Sequence, residues 1–460
     1  MPVSVPVVQQ RYDDAVKDLR RSYTALPATE PVRLAKRTSN LFRPRLPAPG
    51  GLLDVSSFAG VLDVDPVART ADVLGMTTYE QLVDATLAHD LMPLVVPQLK
   101  TITLGGAVSG LGIESASFRN GTPHESVLDV DVLTGDGQVV TARADNEHRD
   151  LFYGFPNSYG TLGYALRLRI ELEPVRRYVQ LRHLHHREPA AYFAAVAEIC
   201  RTGRHDGQRV DFVDGTVFAP DELYCTIGTF VANAPYTSDY TGMNIYYQSV
   251  QHRREDFLTV RDYLWRWDTD WFWCSRAFGV QTPWVRRIVP KRYLRSDTYW
   301  RLIALEQRYG VVRRLEAARG KPVEERVVQD IEVPVDRAAE FLDFLHRDTD
   351  IRPVWICPLR QRDPDAGWDL YQLDPGTLYI NVGFWSTVPL RPGEAADTHN
   401  RRVEVEVTRL GGRKSLYSTS SYPEEEFWRL YNGPAYRKLK DRYDAGGRLL
   451  DLFSKTVRGR

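Results

Sequence analysis

Two stretches of the 460-residue chain concentrate residue types that can do chemistry. In residues 91–121, Gly105, Gly106, Gly110, Gly112 and Gly121 stand among serines and alanines. Glycine lets backbone approach a ligand closely, because no Cβ intervenes and positive φ costs little. Successive N–H groups in such a loop make an anion-binding nest. Thr103-Leu104-Gly105-Gly106, continuing to Gly110-Leu111-Gly112, can cradle a pyrophosphate in this way; the competing reading is a tight turn with close strand packing. The dinucleotide fingerprint G-x-G-x-x-G is not met, since Ile113-Glu114-Ser115 follows Gly112 and no helix pattern comes after. No P-loop is present either. The second stretch, residues 263–284, sets Tyr263, Trp265, Trp267, Trp271, Phe272, Trp273 and Trp284 among arginines. Such a mixture suits a membrane interface, and it equally suits a core with cation–π contacts. His183, His185 and His186 resemble a metal cluster. On a strand, however, 183 and 185 share a face and 186 points away. No carboxylate or cysteine stands at ligand spacing, so no metal is assigned.

Around these stretches the pattern changes period several times. Residues 1–30 read as a polar helix, with Tyr12, Val16 and Leu19 on the side that packs on the body. Residues 52–55, 60–64 and 68–73 are short apolar runs broken by Gly, Pro and Asp, as strands are. Thr77 to Glu80 reads as a capping box for a helix with Tyr79, Leu82, Val83, Thr86 and Leu87 on one face, ending near His89. Residues 127–133 and 138–142 alternate around Gly135-Asp136-Gly137, a hairpin signal. A glycine-rich turn then leads into a strand that alternates Leu or Ile with Arg or Glu, closed by Pro174. From there to about residue 400 helices and strands mix, and the last 60 residues are mostly helical. No internal repeat or low-complexity tract is seen.

Composition narrows the function classes. Sixty basic and sixty acidic side chains cancel, which argues against a nucleic-acid partner needing surplus Lys and Arg. No apolar run reaches the ~18–20 residues that cross a bilayer. The N-terminus has no signal-peptide pattern. Cys200, Cys225, Cys274 and Cys357 are far apart and form no C-x-x-C pair, which fits a reducing compartment without disulfides or a zinc knuckle. A cytoplasmic protein is expected, with peripheral contact at the inner face of the membrane if the aromatic stretch lies outside.

Several motifs in series carry a family resemblance. TLGGAVSGLGIESASFRNG, DVDVLTGDGQVV and DLFYGFPNSYGTLGYALRLRIELEP resemble the FAD-binding domain of the vanillyl-alcohol-oxidase/PCMH flavoproteins. The strongest likeness within that superfamily is to the Δ24-sterol reductase (seladin/Diminuto) group. It continues through VVQDIEVPVD, RPVWICP, TLYINVGFW, KSLYSTSSYPEEEFWRLY and RYDAGGRLLDLF, collinear over most of residues 50–460. The arginine-rich chain also resembles actinobacterial methylene-fatty-acyl reductases. The resemblance implies an α+β fold in three parts: a PCMH-type FAD domain over residues 1–175, a cap over 176–400, and a C-terminal segment, 401–460, returning to the flavin.

It also implies roles for residues. Thr103, Leu104, Gly105, Gly106, Gly110, Leu111, Gly112 and Ile113, with Ser117 beyond them, match the second flavin-contacting segment. Gln98 precedes it on a loop near the flavin. Gly163 and Tyr164 match the strand that meets the adenine half. Tyr417 matches an aromatic beside the isoalloxazine, and Gln329 and Asp330 a strand lining the substrate side. The first loop, Arg37-Thr38-Ser39-Asn40-Leu41-Phe42-Arg43, lacks the glycines and the His or Cys of covalent members, so FAD is expected to be noncovalent. An ene-reductase needs a hydride from one face and a proton from the other. Tyr417, Glu114 and Asp330 are the candidate acids; their plainer roles are ring packing, loop capping and ion pairing. The expected reaction is reduction of a C=C bond in a lipid, either a methylene-branched fatty acyl chain on phospholipid or a sterol side chain. NAD(P)H would be the electron donor, reacting in the same cleft. A sugar or alcohol oxidase or dehydrogenase of the same superfamily, and a noncatalytic lipid-binding relative, are the alternatives. The oligomeric state is not legible.

Overall fold

The computed structural model describes residues 5–36, 42, 50–310, 314 and 323–459. Two antiparallel sheets organise the chain. The first has six strands, in the order Val61–Asp65, Thr70–Leu74, Tyr164–Pro174, Val127–Leu133 and Val139–Arg143, with Leu91–Pro93 paired to the far end of Tyr164–Pro174. That long strand alternates Leu168, Ile170 and Leu172 inward with charged residues outward, the period of a sheet with one covered face. The Val127–Leu133 to Val139–Arg143 hairpin turns at Thr134–Gln138, where Gly137 takes φ +75°.

The helix Tyr79–Leu87 buries Tyr79, Leu82, Val83 and Thr86 against this sheet. Its cap lies one residue later than the sequence pattern puts it: Thr78 accepts from the Gln81 amide while the Gln81 side chain accepts from the Thr78 N–H. The N-terminal helix, Val5–Ala25, lays Tyr12, Leu19 and Tyr23 on the body. Tyr12 donates to Asp131 at 2.7 Å, one of three aspartates gathered by Arg167.

The second sheet has eight strands, in the order Glu255–Thr259, Tyr178–His186, Glu222–Val231, Phe212–Ala219, Val354–Leu359, Tyr379–Pro389, Glu324–Pro334 and Arg413–Lys414. Helices Pro189–Thr202, Ala338–Thr349 and Thr398–Arg409 cover one face, with Val196, Phe341 and Val403 meeting Val327, Ile356 and Val382. Trp355, Cys357 and Leu359 point the other way and join the core of the first sheet. Thr398–Arg409 packs on this sheet and Arg413–Lys414 is one of its strands, so the sheet and its covering helices extend past residue 400 to Lys414. The later helices return: Lys440 donates to the Thr161 carbonyl at 2.9 Å, and Val32 N–H to the Arg448 carbonyl at 2.8 Å.

All four cysteines are free. Among the described residues no His, Cys, Asp and Glu cluster has metal-site geometry, and no helix is long and apolar enough to cross a membrane. His183 is buried against Thr226 at 2.8 Å, and His185 stacks on Tyr224.

Candidate active site

A cavity of about 480 Å³ opens where the first sheet, the cap and the returning C-terminal segment meet. From the first half it takes Gln98, residues 101–113 in part, and Gly163 to Ala165 at the start of the central strand. Asp330, Trp355 and Trp385 come from the cap sheet, Trp271 and Phe272 from the aromatic stretch, and Ser415 and Tyr417 from the return. Gly163 has φ +144°, and a Cβ there would lie 2.7 Å from the Leu133 carbonyl oxygen. Only glycine lets the strand begin that close to its neighbour.

The glycine-rich segment does two jobs. Thr103 caps the helix Leu104–Ser109, and its first three amides are already taken: Leu104 by Thr77, Gly105 by Gly75 and Gly106 by Thr103 itself. A Cβ on Gly105 would lie 2.7 Å from the Gly75 carbonyl oxygen, so this glycine serves packing. The amides of Leu111, Gly112 and Ile113 have no protein acceptor among the described residues, and all three residues line the cavity. Arg33 adds Nε and Nη2, and Gln98 its Nε2, as buried donors without acceptors. The lining carries three cations (Arg33, Lys36 and Lys455) and one carboxylate, Asp330. The lining thus offers both free N–H donors with surplus positive charge and an aromatic wall of Trp271, Phe272, Trp355 and Trp385, which match a ligand with an anionic and an aromatic half.

Asp330 and Tyr417 form the acid group. Tyr417 accepts from Trp385 Nε1 at 3.0 Å and is hydrogen-bonded to the Asp330 carboxyl. Burial pushes the Asp330 carboxyl up to about 7, against the bonds from Tyr417 and Asn381. Burial, with the Asp330 charge beside it, raises the Tyr417 phenol well above its ordinary value. Two residues on, on the same face of the strand, burial also holds the Glu332 carboxyl well above the usual range, with Tyr371 donating to it. Two carboxyls this close in a dry site do not ionise together.

Other expected site residues lie elsewhere. Gln329 cannot share a face with Asp330, since neighbours on a strand point to opposite sides; it faces the helix Thr398–Arg409 and bonds to Asn400. Glu114 does not line the cavity. It is buried against Arg266 at 3.2 Å, which also holds Asp214 at 2.7 Å. Burial carries its carboxyl to about 7 despite Arg266, with Asp214 adding to the rise. Leu104 is core, and Ser117 accepts from the Glu114 amide at 3.0 Å. Of the first loop, Arg37 to Leu41 and Arg43 lie outside the described residues; Phe42 packs on Trp271 and Tyr417 with centroids 5.3 and 5.8 Å away. Trp271 and Trp273, read as interface candidates, are buried.

The lining also includes residues that sequence reasoning passed over: Arg33, Lys36, Tyr159, Trp355 and Trp385. Trp271 and Phe272 sit in succession at φ +45° and +58°. Left-handed backbone at two bulky residues costs of order 1–3 kcal/mol each and gathers at functional sites. Phe272 is held there by Trp267, stacked at 4.8 Å, and Trp385 at 4.5 Å. Tyr159 had a signal, the turn-forming run Pro156-Asn157-Ser158-Tyr159-Gly160.

Comparison with known proteins accounts for the cavity. Residues 16–143 match the FAD binding domain family. The chain is an FAD-dependent oxidoreductase with a PCMH-type flavin domain. It is 26% identical over 449 residues to a Δ24-sterol reductase of Arabidopsis thaliana, covering 89% of this chain and 77% of that protein. The Homo sapiens Δ24-sterol reductase is 27% identical over 421 residues, 86% of this chain and 77% of that one. Cytokinin dehydrogenase 5 of Oryza sativa subsp. japonica is 35% identical over 154 residues, 33% of this chain and 28% of that protein. Unpaired N–H donors and surplus cations in the lining suit the diphosphate of FAD, and its aromatic side chains suit the ring system.

Proposed function

We propose that this oxidoreductase reduces a carbon–carbon double bond in a lipid, with FAD held noncovalently in the cleft and NAD(P)H as the electron donor. The observation that carries this reading is the Tyr417–Asp330 acid pair opening onto a cavity walled by Trp271, Phe272, Trp355 and Trp385. Bound FAD, once reduced, supplies a hydride. The chain supplies the proton: Tyr417 donates it to the substrate carbon, and Asp330, whose buried carboxyl holds a proton up to about pH 7, restores it. The aromatic wall excludes water and favours an apolar substrate. Relatives named Δ24-sterol reductase over nearly nine-tenths of the chain support a C=C acceptor. Neither histidine nor cysteine lines the cavity among the described residues, which supports noncovalent binding. The substrate is a methylene-branched fatty acyl chain or a sterol side chain, with the acyl chain favoured.

The test is the visible spectrum of the purified protein under anaerobic conditions. Flavin bands bleached by NAD(P)H and restored by an unsaturated lipid are expected. Bands that NAD(P)H leaves oxidised but an alcohol or amine bleaches would overturn the reductase reading. Recovery with methylene-acyl phospholipid but not with a Δ24 sterol, or the reverse, names the substrate.

A further inference from the structure

We propose that the outer face of cap residues 283–309 docks on an anionic phospholipid bilayer. Thirteen large hydrophobic side chains are exposed among the described residues, and six of them fall within these 27 positions. Trp284 and Ile288, 68% and 70% exposed, share one side of the helix Pro283–Ile288. Leu302, Leu305 and Tyr309 form an i, i+3, i+7 stripe on the helix Ser296–Tyr309, and Tyr293 lies on the link between the helices. Exposed apolar side chains gathered on one segment in this way mark an interaction site.

Charge identifies the occupant. From Arg276 to Tyr309 there are eight Arg or Lys against two acids, Asp297 and Glu306, in a chain whose total charge is zero. Arg286 is internal, held by Asp270, and Glu80 holds Arg295. Arg276, Arg287, Arg292 and Arg308 are exposed beside the apolar side chains. Rings and aliphatic groups interleaved with cations match the acyl–headgroup boundary of an anionic bilayer, where each nearby cation adds affinity.

The same segment is tied indirectly to the cavity wall. Tyr299, on the buried side of the second helix, stacks on Phe278 at 5.5 Å and donates to the Thr269 carbonyl at 2.9 Å. Thr269 lies two residues before Trp271, which walls the cleft. A surface that holds the bilayer is thus braced against the wall that meets an apolar substrate. The inference rests on exposure and charge, and its test involves no turnover, so it stands or falls separately from the proposed reaction.

The full-length protein would be sedimented with vesicles of phosphatidylcholine alone and with vesicles in which phosphatidylglycerol replaces part of it. Binding to the mixed vesicles is expected, and much weaker binding to the neutral ones. The double variant Ile288→Ser/Leu305→Ser should lose mixed-vesicle binding about tenfold or more. Arg287→Glu/Arg292→Glu should lose it to a similar extent while retaining all six exposed apolar side chains. Circular dichroism and flavin content matching the unaltered protein establish that each variant is folded. Unaltered protein that stays in the supernatant with both vesicles overturns the proposal, as does charge reversal without effect. A dimer on size-exclusion chromatography that Ile288→Ser/Leu305→Ser converts to monomer, with no vesicle binding, overturns it in favour of a second copy of the chain.

Discussion

Tyr417 is held between Trp385 Nε1, a donor at 3.0 Å, and the Asp330 carboxyl, to which it is hydrogen-bonded. A phenol so placed keeps one orientation, and its proton has a defined replacement. If this pair delivers the proton to substrate, Tyr417→Phe and Asp330→Asn should each slow lipid-dependent reoxidation by about 10²–10⁴-fold. Bleaching by NAD(P)H should be unchanged, and stopped-flow absorbance separates the two steps. Equal losses in both would mean that the pair only shapes the cleft. The raised Asp330 carboxyl adds a pH signature. It holds its proton up to about pH 7, so the lipid step should slow as pH rises through 7, and Asp330→Asn should remove that limb. The folded chain then binds a proton that the unfolded chain, with an aspartate near 3.9, has lost. Stability attributable to this group therefore falls as pH climbs from about 4 to about 7 and is flat above.

The elements that present these residues were legible to different degrees, for physical reasons. Hairpin 127–143, the helix Tyr79–Leu87 and the central strand were readable because turn residues and period are local. Gln329 and Asp330 are adjacent on a strand, so they face opposite sides and only Asp330 meets the cavity. The Glu114–Arg266–Asp214 cluster joins positions up to 152 residues apart, and no local pattern records such a pairing. Nor does any pattern record the left-handed backbone at Trp271 and Phe272, which tertiary packing imposes against residue preference. The segment carrying Tyr417 is held by another long-range device. Lys414 and Glu404 are fully buried and paired at 2.9 Å; Lys414 also donates to the Thr419 carbonyl, and Glu404 accepts from the Ser421 amide. Glu404→Gln leaves the ammonium without its counter-charge and should cost about 3–5 kcal/mol in urea unfolding. Glu404→Leu/Lys414→Met, which removes both charges, should cost less. A double variant as unstable as the single would show that packing, not charge, governs this corner.

At the scale of the molecule, the cavity takes residues from the flavin domain, the cap and the return, so whatever fills it bridges all three. That the eight-stranded sheet extends to Lys414 was not legible in the sequence, because its last strand is only two residues long. Arg33 is the clearest link between the cavity and stability. It lies on a short strand whose Val32 bonds to Arg448 of the return, and its buried Nε and Nη2 have no protein acceptor. Without a ligand, those donors oppose folding; a bound diphosphate would satisfy them. Flavin that binds only the folded chain should stabilise it by about 2.7 kcal/mol at 100 times its dissociation constant. Stripping the cofactor should therefore lower the melting temperature, and titrating FAD back should restore it along that logarithmic curve. Arg33→Met should shift the curve to higher FAD concentration while leaving the cofactor-free protein as stable as before, or more so. An Arg33→Met protein with an unchanged FAD titration would place the diphosphate elsewhere in the cavity.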